Sequence, residues 1–265
     1  YLYATDFHNG KIDVFDKAFA DQMWAGAFQD PKLPKGYAPF GIQNLNGMIF
    51  VTYAKTQPGS DDEAHGHGRG VVDAFATNDK LVSHLHLPVQ SGSDRVLAAM
   101  KRGYTAVEYK SIVRRLRAAR PDLSLTSDFI VGFPGETDAD FEATLRLVET
   151  IRFDGAFSFA YSPRPGTPAA ELSGQIDADV QQARLTRLQT LLDAQYRNYS
   201  EAMVGTRQRV LVTGHAVKDP RELAARTDNN RVVNFAGDAA SIDHYVDVDI
   251  TAALPHSLRG QLTAA

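Results

Sequence analysis

The sequence predicts a mixed fold: an all-β opening, an α/β middle and a smaller all-β end. Three observations carry that expectation. Asn-Gly pairs divide short apolar runs before residue 55, as in β-hairpins. From residue 81 to about 203, brief apolar runs alternate with segments of helical period, the mark of βα units around a parallel sheet. After Gly205 the chain turns to five short strand-like runs, enough for a small OB-like barrel.

Composition sets the outer bounds. The 265 residues leave room for two or three modest domains, and 43% hydrophobic with 23% charged residues is ordinary for a globular chain. A formal net charge of -4 argues against a bulk polycation for nucleic acid, while leaving local basic patches open. No apolar run reaches the length of a membrane span and no secretory leader is visible, so no membrane partner is expected. The chain opens at Tyr1 inside a strand-like run, and its true start is expected upstream. The absence of cysteine removes disulfides, thiolate zinc sites, cysteine nucleophiles and the usual iron–sulfur ligands.

Residues 1–76 read as β structure. Leu2 to Phe7 and Ile12 to Phe15 flank His8-Asn9-Gly10-Lys11, and Asn46-Gly47 separates Phe40–Leu45 from Met48–Tyr53. Gly10-Lys11-Ile12-Asp13-Val14-Phe15 recurs as Gly70-Val71-Val72-Asp73-Ala74-Phe75, which suggests successive propeller blades. Between them, Asp61, Asp62, Glu63, His65 and His67 sit in a glycine-rich loop. Those side chains suit a divalent metal, but they also suit a solvated loop, and the loop is the expectation.

The α/β stretch is expected over 77–175. Its first strand, Leu81 to Val89, carries His84 and His86 on one face, read as partly buried strand positions rather than a metal pair. Gln90, Ser91 and Ser93 fall at its carboxyl end, where α/β folds meet ligands; Ser93 or Asp94 equally caps the next helix. Thr105 and Glu108 form a capping box for a helix with Tyr109, Ile112, Val113 and Leu116 inward. Its outer face carries Lys110, Arg114, Arg115 and Arg117, with Arg120 nearby, either solvated or touching RNA phosphate.

The central strand, Leu123 to Val131, runs into the Gly132-Phe133-Pro134-Gly135-Glu136 turn and a Thr137-capped helix to Arg152. Glycines there let a ligand approach the backbone. A third strand, Phe153 to Tyr161, ends in a proline-dense loop that places Arg164 well for a carboxylate or phosphate. A connecting helix is expected over 176–204. Strands then follow at Arg207–Thr213, Glu222–Thr227, Arg231–Phe235, Tyr245–Ile250 and Ser257–Leu262. RNA binding by this barrel, 205–265, needs clustering of Arg207, Arg209, Arg226 and Arg231, with Asn230 and Phe235 near them.

Two resemblances follow from these residues. Tyr3-Ala4-Thr5-Asp6-Phe7-His8-Asn9-Gly10 and Gly36-Tyr37-Ala38-Pro39-Phe40 resemble a family of secreted bacterial β-propeller proteins. From about residue 77, Leu85-His86-Leu87-Pro88-Val89-Gln90-Ser91-Gly92-Ser93-Asp94, Ser127 to Thr137, Phe157 to Pro168 and Asn230-Arg231-Val232-Val233-Asn234-Phe235 resemble the radical S-adenosylmethionine methylthiotransferases of the MiaB type. Such enzymes add a methylthio group to isopentenyl-modified adenosine in tRNA.

That resemblance implies the second half of a partial (β/α)6 barrel followed by a TRAM domain, and a cytoplasmic protein with tRNA as partner. It places Gln90, Ser91, Asp128 and Gly132, Phe133, Pro134, Gly135 and Glu136 along an S-adenosylmethionine pocket, with Arg164 at its polar end. The family's 4Fe-4S cluster is not expected here, because the cysteines that hold it are absent. The chain therefore reads as a chimera or mis-joined fragment of such an enzyme, inert alone, with an open sheet edge that invites association. A non-catalytic RNA-binding module and an extracellular propeller-type binding protein are the alternatives.

Overall fold

The computed structural model describes residues 2–6, 9, 11–22, 35–45, 48–55, 69–78 and 80–263. It divides into two compact units, Tyr1–Ala74 and Phe75–Ala265.

The first unit contains two hairpins. β1 (Leu2–Asp6) pairs antiparallel with β2 (Lys11–Phe15), Leu2 opposite Phe15 and Asp6 opposite Lys11. Asn9 closes the turn, its backbone and side-chain amides donating to the Asp6 carboxylate at 3.0 and 2.7 Å. β3 (Tyr37–Leu45) pairs with β4 (Met48–Lys55), with a bulge between Pro39 and Gly41. Val14 and Ala38 are buried. His8, Gly10, Asn46, Gly47 and the Asp61–His67 loop lie outside the described residues.

The expected blade repeat at Gly70–Phe75 is a helix, α1 (Arg69–Thr77). Val72 and Phe75, three apart, are both buried, a spacing that fits the helical period and not the two-residue period of a strand. Arg120 holds the end of this helix, with its guanidinium 5.6 Å from the Phe75 ring centroid and donating to the Phe75 carbonyl. The most basic cluster in the sequence thus spends one of its arginines on packing.

The second unit is built on a parallel sheet in the order β5 (His84–His86), β6 (Ser124–Val131), β7 (Gly155–Ala160). Between β5 and β6 run α2 (Asp94–Ala99) and α3 (Ala106–Ala119); α4 (Asp138–Ile151) joins β6 to β7. Both expected capping boxes form, Thr105 with Glu108 and Thr137 with Asp140. β6 shows why it is central. Leu125, Phe129 and Val131 are buried on the helix side, where Phe129 meets Phe153 edge-on at 5.4 Å and Phe153 meets Tyr109 of α3. Thr126, Asp128 and Ile130 alternate onto the other face, which stays partly open. On that face β7 presents Phe157 and Phe159, 66% and 55% exposed.

α5 (Ala178–Ala202) leads to the last domain and buries Arg184, Leu188, Leu192, Gln195 and Ser200. Val180 near its start is exposed, and Gln181 and Arg184 are the residues that face the glycine turn. β8 (Arg207–His215), β9 (Glu222–Thr227), β10 (Val232–Ala236), β11 (Tyr245–Leu254) and β12 (Ser257–Leu262) close a barrel in the order β10-β12-β11-β8-β9. Its core holds Val210, Val212, Leu223, Val233, Phe235 and Ile250. The layout is α/β plus a small β-barrel. No described helix is long and apolar enough to cross a membrane.

Candidate functional site

The expected ligand residues gather at the carboxyl ends of the parallel strands, but in two different roles. Gln90 is buried and held at φ 73°; its N–H donates to the Asp128 carbonyl and its own carbonyl accepts from Ile130, both at 2.9 Å. Ser91 is fully buried, its hydroxyl 3.3 Å from Thr144 of α4 and accepting from the Ser93 N–H. A Cβ on the intervening Gly92 would lie 2.4 Å from the Ala143 carbonyl. This segment is therefore the seam where β5 locks onto α4, the close backbone approach being to a helix. Ser93 caps α2, as one of its two readings had it, and also donates to Asp140 at 2.6 Å.

The turn after β6 is likewise occupied from behind. Gly132 (φ +71°) donates its N–H to Glu136 Oε2 at 2.7 Å, and its carbonyl accepts from Gln181 of α5. Gly135 donates to the Gly174 carbonyl at 2.7 Å. Glu136 is buried against Arg184, which reaches its carboxylate at 2.8 Å and Asp138 at 2.7 Å. Burial pushes the Glu136 carboxyl above its ordinary value, with Gly132 and Arg184 pulling against that rise. Phe133 and Pro134 are buried, and the Phe133 ring meets Tyr161 edge-on at 5.2 Å. The Tyr161 hydroxyl is buried without a hydrogen-bond partner among the described residues. Asp128 and Arg164 remain reachable: Asp128 half-exposed on the open sheet face, Arg164 exposed on its loop.

On that open face runs a polar ladder. His84 Nε2 lies 3.2 Å from the Thr126 hydroxyl, which lies 3.0 Å from His86 Nδ1; His86 Nε2 then meets Asp128 at 3.4 Å. Burial lowers the His84 pKa, Asp154 opposes the shift and His86 adds to it. His84, Thr126 and His86 of the ladder line a cleft of about 1070 Å³ together with Tyr196 and Arg197 of α5 and Arg226, Asn230 and His256 of the barrel domain. Aromatic rings and cations around a cleft of that size suit a nucleotide or a nucleic-acid segment.

The six expected RNA residues do not form one cluster. Phe235 is in the barrel core and Arg231 is 4% exposed, ion-paired with Asp154 of the α/β half. The barrel needs an apolar interior and a dock, and these two residues serve those needs. Arg226 and Asn230 hold each other across the β9–β10 turn, with guanidinium to carbonyl at 3.0 Å. Arg207 and Arg209 stand on the outer face of β8, opposite Asp249 and Asp247 of β11; Arg207 pairs with Asp249 at 3.1 Å and Arg209 lies 4.6 Å over the Tyr245 ring. Sequence reasoning missed Arg184 and Asp154. Arg184 was findable, because it lies four residues before Leu188 on the buried stripe.

Comparison with known proteins agrees with this layout. Residues 55–148 match the Radical SAM superfamily, and residues 201–263 match the TRAM domain. The former match begins inside the stretch expected to be propeller-like, as does helix α1. A tRNA-2-methylthio-N(6)-dimethylallyladenosine synthase of Nitrosospira multiformis is 63% identical over 191 residues, covering 72% of this chain and 40% of that protein. The synthase of the same name from Thiobacillus denitrificans is 60% identical over 220 residues, 83% of this chain and 48% of its own length. That of Nitrosomonas eutropha is 50% identical over 222 residues, 84% and 49%. The chain spans about half or less of the curated relatives it matches, and along that span, where it carries the Radical SAM and TRAM matches, it is similar to proteins bearing one name, tRNA-2-methylthio-N(6)-dimethylallyladenosine synthase.

Proposed function

We propose that residues 81–263 are the cofactor-pocket and RNA-gripping half of a cytoplasmic tRNA methylthiotransferase that uses S-adenosylmethionine and acts on N6-dimethylallyl-adenosine. The observation that carries this reading is the 60% identity over 220 residues, 83% of this chain, with a synthase of that name, beside the Radical SAM match at 55–148 and the TRAM match at 201–263.

The residues fit S-adenosylmethionine in part. Asp128, Tyr161 and Arg164 would hold it beside the Gly132–Glu136 turn, and the unpartnered Tyr161 hydroxyl is the kind of buried group that a polar ligand satisfies. When bound, it would supply radical chemistry only with a one-electron donor beside it. The residues do not fit a 4Fe-4S cluster: the 265 residues contain no cysteine to ligate it. These residues alone are therefore expected to bind without turning over.

A graft tests the reading. The part of the Thiobacillus synthase that aligns with residues 81–263 is replaced by them, keeping that protein's own preceding residues, and methylthiolation of undermodified tRNA is measured. Transfer supports the assignment. A folded graft with full cluster content and no transfer overturns it. The second reading, an RNA-binding module without catalysis, is favoured by the missing thiolates; in that case the 265 residues bind tRNA and the graft stays inactive. The propeller-type alternative has no support in helix α1 or in the family match that includes it.

A further inference from the structure

We infer that Arg231 is a positioning residue, a buried latch that fixes the RNA-facing barrel against the parallel sheet and so holds the cleft between them open at one width. The inference rests on the reading of the barrel as an RNA grip. Arg231 sits where β9 turns into β10, yet its side chain leaves the barrel. Its Nε donates to the Ser200 hydroxyl of α5 at 3.1 Å, and its terminal nitrogen approaches the carbonyls of Asp154 and Tyr196 at 3.4 Å. The guanidinium lies 4.8 Å from the Tyr196 ring centroid and pairs with the Asp154 carboxylate, which also accepts from Ser124 at the start of β6. Arg231 and Asp154 are each 4% exposed.

One side chain therefore ties the barrel to the amino ends of β6 and β7 and to the last turns of α5. Asp128 lies midway along β6, and the glycine turn is at the opposite end of the same sheet. A planar fork with several fixed acceptors sets an orientation as well as a distance, which a lysine cannot do. Beside it, the Asn229 amide donates to Met203 Sδ at 3.4 Å.

The consequence is bivalency. With the latch closed, an RNA held on the barrel meets the cleft at a high effective concentration; with it open, the two surfaces act as separate weak sites.

The chain has no cysteine, so two introduced thiols can be labelled alone. Spin labels at Glu149→Cys on α4 and Ala236→Cys on β10, both exposed positions, report the spacing of the two parts in the full chain. One narrow distance distribution is expected, broadened by Arg231→Gln and by Asp154→Asn and partly by Arg231→Lys. Affinity for undermodified tRNA is expected to fall by about tenfold in the first two. Should those variants fail to fold, Ser200→Ala, which removes one hydrogen bond, is expected to broaden the distribution modestly. Distributions that superimpose on that of the parent in every folded variant would overturn the latch. Failure of the parent to bind RNA would overturn the RNA reading instead, and the distance measurement still decides the latch.

Discussion

Gln181 of α5 fills the space that a side chain at Gly132 would need: a Cβ there would lie 2.4 Å from Gln181 Cγ, while Gln181 Nε2 donates to the Gly132 carbonyl at 3.1 Å. The glycine serves the connection between two elements of the fold. Gly132→Ala combines that clash with a left-handed backbone, and a loss of about 2 kcal/mol in urea unfolding is expected. The double variant Gly132→Ala/Gln181→Ala should recover the part due to the clash. An unchanged unfolding midpoint in the single variant would show that the glycine is dispensable.

The same turn depends on a buried charge. Arg184 is 8% exposed and Glu136 1%, and the pair links α5 to the start of α4. Arg184→Met leaves a carboxylate with only the Gly132 N–H to compensate it, at a cost of about 3 kcal/mol. Adding Glu136→Gln removes the stranded charge and should restore more than half of the loss. If the double variant were no more stable than Arg184→Met, the pair would not be coupled.

Asp140 ties α4 to the strand-to-helix seam. Burial pushes its carboxyl up, but donors on Arg95, Ser93 and Thr137 outweigh that and hold it well below the ordinary 3.8. A depressed folded value means that the stabilisation is fully present above the unfolded value and is lost as pH falls through the folded one. Stability should therefore decline on acidification below 3.8, and Asp140→Asn should flatten that limb while lowering the plateau. Arg95 is 58% exposed, so salt should trim only its share. Parallel pH profiles for parent and variant would refute the assignment.

Most of the α/β elements were legible because their signals are local. The Thr105 and Thr137 boxes, the alternation of Leu125, Phe129 and Val131, and the Asn9 turn each need only a few adjacent residues to be recognised. Gly70–Phe75 misled because the repeat was matched by residue type, while Val72 and Phe75 follow the helical period. The site was harder to read. A glycine beside a strand end looks the same whether a ligand or Gln181 fills the gap, and Arg231 looks like any surface arginine until the fold brings Asp154 beside it from far along the chain. Long-range pairing of charges leaves no periodic trace in a sequence.

The outer face of β8 gives the last prediction. Arg207 and Arg209 are the expected RNA contacts on the outer face of β8, but Asp249 and Asp247 stand opposite them across the β8–β11 pairing. The carboxylates hold the cations in place and also repel phosphate, so the two substitutions have opposite effects. Arg207→Glu should weaken binding of tRNA and reduce the slope of log affinity against log salt by about 1. Asp249→Asn releases Arg207 from its 3.1 Å pair and should strengthen binding at low salt, with the gain fading as salt rises. Filter binding across a salt series separates the cases. Weaker binding in both variants would mean that the ion pair itself, and not the free cation, is what RNA recognises.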